Sequence, residues 1–206
     1  MVIQKINYRD QVRILLVTNM RKGILQPGDS LSLAKIARGL NVSVTPIREA
    51  LTQLEQSKIV ESIPNRGFII PSLSKVEAIN LYELVFTLEA LCIEKSQFNT
   101  KNIQSLKTQQ LKFIGCKEGL QRINADMEFH YLLTSNYNNP LVQQILSEIK
   151  TRIFFYEKEF MESTEFVLNS NQHHDNIIEC LQNKDKTEAI KILKTNWMQI
   201  LNHMTI

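Results

Sequence analysis

Cysteine, glycine, proline and long apolar runs are all scarce in this chain, and each scarcity removes a class of protein. The three cysteines, Cys92, Cys116 and Cys180, stand far apart with no C-x-x-C pair, which argues against a disulfide framework and against a thiolate zinc site. They are expected to be reduced, buried small hydrophobes. Six Gly and five Pro among 206 residues are too few for a fibrous or low-complexity chain, and no internal repeat is visible. No apolar run approaches the roughly 18 residues of a membrane span. The opening segment MVIQKINYRD lacks the apolar core of a signal peptide, so a cytoplasmic protein with no membrane partner is expected.

What is present is the composition of an ordinary globule, 43% hydrophobic and 22% charged. At roughly 100–200 residues per domain, the chain holds one large domain or two small ones. The net charge of +3 hides an asymmetry. Residues 1 to 73 carry ten Lys and Arg against five Asp and Glu, hence +5; residues 74 to 206 carry fourteen against sixteen, hence −2. A basic first third on a slightly acidic remainder points to a polyanion partner for the N-terminal part and a different task for the rest.

The apolar pattern changes where the charge does. Val12, Leu15, Leu16 and Met20 form a first helical stripe, which ends at Gly23 before Gln26-Pro27-Gly28-Asp29, a sequence suited to a type II turn. Leu33, Ile36, Ala37 and Leu40 mark a short second helix that stops at Asn41, a residue tolerant of a left-handed C-cap. Ser43 and Thr45 are good N-caps and Pro46 fits a first helical turn, so a third helix begins here with Ile47, Ala50, Leu51 and Leu54 as its buried face. Lys58 to Ser62 and Phe68 to Pro71 read as two strands joined by Pro64-Asn65-Arg66-Gly67. From Ser74 onward the period is helical throughout. Helices are expected from Ser74 to Gln97, Thr100 to Gly115, Lys117 to Asn136, Pro140 to Glu162, Thr164 to Gln182 and Lys186 to His203. The expected fold is therefore mainly α: an N-terminal winged helix-turn-helix with a small β-hairpin wing at residues 1–72, and an antiparallel bundle of about six helices at 75–206.

Two short helices, the second capped by hydroxyl residues, followed by a strand pair with a basic tip, outline a unit that sets the first turn of its second helix in the DNA major groove. Ser43, Thr45 and Arg48 lie in that turn off the apolar stripe. Arg48 suits a bidentate pair with guanine, and the hydroxyls and helix N-terminal amides suit phosphate oxygens. Lys35, Arg38 and the turn Asn65-Arg66-Gly67 add backbone contacts. Singly, each of these also reads as an ordinary solvated cap or surface cation.

The run Gly23-Ile24-Leu25-Gln26-Pro27-Gly28-Asp29, then Asn41-Val42-Ser43-Val44-Thr45-Pro46-Ile47-Arg48-Glu49-Ala50-Leu51, then Pro64-Asn65-Arg66-Gly67, resembles the N-terminal domain of GntR-family bacterial transcription regulators over about residues 8 to 72. The resemblance implies a homodimer that binds a pseudo-palindromic double-stranded DNA operator under the control of a small-molecule effector. Two positions depart from it. The family usually has Gly at Asn41 and Arg at Val44, and Val44 removes a cation that contacts DNA in relatives.

The C-terminal stripes contain polar residues where apolar ones belong. One helix carries Ile123, Asp126, Met127, His130 and Leu133 on one face; another carries His174, Ile177, Ile178 and Leu181; the last carries Ala189, Ile192, Leu193, Asn196 and Ile200. Unpaired buried polar groups cost about 1–3 kcal/mol each, so these should converge on one another, a water, an ion or a ligand. A carboxylate and two imidazoles fit a divalent transition metal with open positions. A structural Asp-His hydrogen bond fits the same spacing. His173 falls off the stripe and is expected to face solvent, as is His203 near the end of the last helix.

Leu81-Tyr82-Glu83-Leu84, Leu88-Glu89, Asp126 with Phe129-His130, Asn139-Pro140-Leu141, and His174 with Ile177 and Leu181 resemble the FCD ligand-binding domain over about residues 75 to 200. That resemblance implies an Asp and three His holding zinc or nickel beneath a pocket for small organic acids. Asp126, His130 and His174 match, while the fourth position is Asn196, a weaker donor. Val85 stands where relatives commonly have a pocket Arg. Two alternatives remain: a metal-independent regulator with a structural polar cluster, and a helical metal-dependent hydrolase, which would need a general base although no Glu shares these stripes and Glu128 points away from Asp126 and His130.

Overall fold

The computed structural model describes residues 8–64 and 66–204. Asn65 and the side chain of His203, both named above, lie outside the described residues. The chain divides into two compact units, Met1–Ser72 and Leu73–Ile206.

The first unit contains α1 (Tyr8–Arg21), β1 (Ser30–Leu31), α2 (Leu33–Leu40), α3 (Val44–Gln56), β2 (Glu61–Ile63) and β3 (Gly67–Ile69). Between α1 and β1, Gly28 sits at φ 91 and the Asp29 amide donates to the Gln26 carbonyl at 3.0 Å, which is the expected type II geometry. Ser32 caps α2, its hydroxyl accepting from the Lys35 amide, and Asn41 ends the helix at φ 54. Ile47, Ala50, Leu51 and Leu54 of α3 are fully buried against Val12, Leu16 and Met20 of α1. The α2 stripe is thinner than expected. Ala37 is buried, Leu33 and Ile36 are half-buried and Leu40 is exposed, because this short helix packs chiefly on α3.

The wing has three strands rather than a hairpin, ordered β1-β3-β2 and antiparallel throughout. A two-residue strand such as β1 is too short to show alternation in sequence, and Ser30 opposite Ile69 and Leu31 opposite Phe68 reveal it only in space. The first expected strand also begins three residues late. Lys58 takes φ 57, and the amides of Ile59 and Val60 bond back to the Leu54 carbonyl, so this segment closes α3 before pairing starts.

The second unit is a bundle of six helices: α4 (Lys75–Lys95), α5 (Thr100–Gly115), α6 (Gly119–Thr134), α7 (Pro140–Phe160), α8 (Thr164–Gln182) and α9 (Lys186–His203). Ser74, Asn99, Asn139, Ser163 and Asp185 each cap a helix through a side-chain oxygen, which satisfies amides that would otherwise lack partners. α4 packs on α7 and α9, α5 on α6 and α8, and α8 on α9. Cys92 is buried as expected, but Cys116 and Cys180 are only half-buried, since each stands beside the polar end of its helix. All three thiols are free.

Gly67 sits at φ 94, and a Cβ there would meet the Leu31 carbonyl oxygen at 3.2 Å. Gly67→Ala is expected to destabilise the first unit by about 1–3 kcal/mol. Urea denaturation followed by circular dichroism measures it, and a stability equal to the parent's would contradict the strain.

Candidate functional site

In the first unit, Lys35, Arg38, Ser43, Thr45, Arg48 and Arg66 are all exposed, and Gly67 is half-buried. Ser43 occupies the N-cap of α3 with no hydrogen bond from its side chain to the helix, so its hydroxyl remains available to a ligand. Thr45 is already inside the helix, and Arg48 follows one turn on. The buried stripe of α3 turns these three side chains outward. Gly67 has no side chain to offer, and its observed part is conformational: its positive φ shapes the start of β3.

The second unit brings Asp126 and His130 of α6 together with His174 of α8. Their donor atoms lie within 4.8 Å of one another, and all three residues are buried. His174 Nε2 is 3.3 Å from Asp126 Oδ1, and His130 Nε2 is 3.8 Å from Asp126 Oδ2. Both Nε2 atoms are buried with no hydrogen-bond partner among the described residues. The other ring nitrogens are engaged. His130 Nδ1 donates to Glu89 Oε2 at 2.7 Å, an ionised carboxylate being an acceptor only. His174 Nδ1 lies 3.0 Å from Gln110 Oε1, and Gln110 Nε2 donates to the Asn171 carbonyl at 3.1 Å. That second bond fixes which end of the amide faces the ring, so His174 Nδ1 is a donor as well. Where both rings are neutral with their protons on Nδ1, two lone pairs face the Asp126 carboxyl group. Such a convergence is repulsive until a shared proton or a metal ion enters it.

Aromatic rings hold these imidazoles in place. Phe129 stacks on His174 with centroids 3.9 Å apart, and Trp197 of α9 lies over His130 at 4.2 Å. Trp197 Nε1 donates to the same Glu89 oxygen at 2.8 Å, and Lys150 Nζ of α7 is 2.5 Å from the other. Burial alone would raise the Glu89 carboxyl, but His130 and Lys150 outweigh it and pull it down to about 2. Burial pushes the Asp126 carboxyl up and holds His174 well below the usual imidazole range. Glu157 of α7 is buried, accepts from the Tyr82 hydroxyl at 3.4 Å, and is raised well above the ordinary carboxylate range by burial and by the charge of Asp126.

Asn196 is buried on α9, and no hydrogen bond joins it to Asp126, His130 or His174 among the described residues. His173 is half-buried rather than solvent-facing, with a buried Nδ1 that finds no partner among the described residues; its neighbour His174 draws this turn of α8 into the bundle. On α6, Phe129 is buried and Met127 only half-buried, because the helix meets α4, α5 and α7 and so buries a wider arc than one stripe. The largest omission from the sequence reading is Glu89 together with Lys150. A signal existed: Tyr82, Val85, Glu89 and Cys92 form a buried stripe on α4 interrupted by an acid. No glutamate of α6, α8 or α9 reaches the cluster through the stripes, but α4 supplies one across the bundle.

Residues 8–70 match the family of bacterial regulatory proteins known as gntR, and residues 80–196 match the FCD domain. The chain belongs to the FCD-domain proteins, that model covering more than half of it, and carries a gntR-type domain ahead of the FCD domain. YdhC of Bacillus subtilis, an uncharacterized HTH-type transcriptional regulator, is 26% identical over 140 residues, which are 65% of this chain and 62% of YdhC. The match thus spans about three fifths of that relative's length. The gluconate operon transcriptional repressor of Bacillus licheniformis is 25% identical over 203 residues, 90% of this chain and 81% of the repressor. The solved structure of McbR/YncC from E. coli superposes with a TM-score of 0.79 at 22% identity, covering 96% of this chain and 98% of that one, which establishes a common fold. The matched families and relatives are described as transcription regulators and not as enzymes, which gives no support to the helical hydrolase. Among the described residues no helix is long and apolar enough to cross a membrane.

Removing one partner of a buried ion pair strands the other. Lys150→Met is expected to cost about 3–5 kcal/mol, and a second change, Glu89→Gln, which removes the stranded charge but still accepts from His130 and Trp197, to recover part of it. Urea denaturation read by the fluorescence of the buried Trp197 measures both. A loss that the second change does not relieve would contradict the pairing.

Proposed function

We propose that this protein is an effector-responsive transcription regulator. Its first unit would bind a pseudo-palindromic double-stranded operator as a homodimer, and its second would bind a divalent metal ion and a small molecule. The observation that carries the second half is the pair of orphaned Nε2 atoms facing Asp126. The donor set fits the metal: one carboxylate oxygen and two imidazole nitrogens suit zinc or nickel, each imidazole is anchored through its far nitrogen, and open positions remain. Asp126, His130 and His174 would hold the ion, with Asn196 as a weak fourth donor. When bound, the ion supplies a positive charge and vacant sites for oxygen ligands, which supports a small organic acid or related metabolite as the effector. The repressor of the gluconate operon is named for an operon handling such an acid.

Control follows from linkage. An effector changes operator affinity only by binding one arrangement of the protein better than another. A metal-independent regulator is the second reading. It rests on the same 3.3 Å approach, with a proton on Asp126 shared with His174 in place of the ion.

On the DNA side, the exposed first turn of α3 supports base reading by Arg48, with backbone contacts from Ser43, Thr45, Lys35, Arg38, Asn65, Arg66 and the turn at Gly67. Arg48→Ala is expected to cost about 1–3 kcal/mol of specific binding and to relax operator discrimination, whereas Lys35→Ala should weaken all sequences alike and lower the salt slope by about one. Gel shifts on a selected operator at several salt concentrations measure this. Unchanged affinity and discrimination in Arg48→Ala would remove its base-reading role.

On the metal side, elemental analysis of untagged protein should find about one zinc or nickel per chain, and chelator should lower the melting temperature. His130→Ala with His174→Ala should abolish both effects. A metal-free parent whose melting ignores chelator and added metal would decide for the shared proton.

A further inference from the structure

The two imidazoles of the cluster are held alike in geometry but not in charge. His130 is backed by a carboxylate: Nδ1 donates to Glu89 Oε2 at 2.7 Å. His174 is backed by a neutral amide: Nδ1 donates to Gln110 Oε1 at 3.0 Å, and the amide is locked by its bond to the Asn171 carbonyl. Both backing groups come from helices that carry no donor of the cluster, Glu89 from α4 and Gln110 from α5. Both rings are fully buried, as is Glu89.

We propose that Glu89 and Gln110 are positioning residues that make the two imidazoles unequal ligands, His130 the stronger donor and His174 the weaker one. This deepens the metal-binding reading and rests on it. An anion hydrogen-bonded to Nδ1–H pushes electron density toward Nε2 and raises its basicity, while a neutral amide orients the ring without that push. Lys150 and Trp197 complete the device, since their contacts at 2.5 and 2.8 Å keep the Glu89 carboxylate charged and aimed. Gln110 has no cation at hand among its described partners, and its Nε2 faces the Asn171 carbonyl and, at 3.5 Å, the Asn171 side-chain oxygen. His174 also sits on α8, which packs against both α5 and α9, so a change of its bond to the ion is a change at the centre of three helices.

The test measures metal binding by the full-length protein in two ways: zinc affinity by competition with a chromophoric chelator, and the visible d–d spectrum of the cobalt(II) form. Glu89→Gln keeps an acceptor for His130 but removes the charge. It should weaken zinc about 10–100-fold and move the cobalt bands, a shift in ligand field that mere loosening of the fold does not give. Gln110→Ala removes only a neutral acceptor behind His174 and should weaken zinc less than Glu89→Gln does. If Glu89→Gln misfolds because Lys150 is stranded, Glu89→Gln combined with Lys150→Gln serves in its place with the same expectation. Zinc affinity and cobalt bands like the parent's in the glutamine variant, or Gln110→Ala weakening zinc as much as Glu89→Gln, would overturn the inequality while leaving the metal reading intact. A parent that binds neither zinc nor cobalt would overturn both.

Discussion

Two imidazole nitrogens and a carboxyl group, buried within 4.8 Å of one another, are the constraint on which the second unit of this protein depends. With a metal ion among them, as proposed, they would tie α6 to α8. Because Asp126 and His130 come from α6 and His174 from α8, whatever cation they share joins helices far apart in sequence. In this account, folding and ligand binding draw on the same contacts, and metal affinity is in part folding free energy.

Around that centre the chain sets a second layer that is fully paired. Glu89 is buried, yet its two oxygens meet His130, Trp197 and Lys150, which favours the ionised carboxylate despite its burial. Glu157, lacking any such cation and bonded to the Tyr82 hydroxyl, is pushed the opposite way by burial. Two buried glutamates are thus shifted in opposite directions by their partners. A further network fixes the start of α4, where Arg152 forks onto Glu77 at 2.8 and 2.6 Å and the Tyr156 hydroxyl accepts from the Ser74 amide at 3.0 Å. The polar residues of α7 therefore serve both the cluster and the cap of α4.

Much of this was legible in sequence, and the exceptions have physical reasons. Helices announced themselves by period and caps: Thr100–Gly115, Thr164–Gln182 and Lys186–His203 fall where the pattern places them. Asp126, His130 and His174 were visible because an acid and two imidazoles in apolar stripes violate burial rules. Glu89 was harder. Its stripe on α4 shows one acid, but nothing in a linear chain says that Lys150, sixty-one residues later, lies 2.5 Å away. Strand β1 escaped because two residues carry no period, and the late start of β2 because the closure of α3 at Lys58 depends on a positive φ in a residue other than Gly or Asn. His173 shows the limit of a stripe: one residue off the buried face still lies half inside when the helix is packed on two sides.

The central claim is that a metal ion resolves the repulsion among Asp126, His130 and His174. Anomalous diffraction from crystals grown with zinc, recorded on both sides of the zinc absorption edge, tests it most directly. The account predicts one strong anomalous peak per chain at about 2.0–2.2 Å from His130 Nε2, His174 Nε2 and an Asp126 oxygen. A featureless map at that position, with an Asp126 oxygen at hydrogen-bond distance from His174 Nε2 and the protein folded as described, would contradict it.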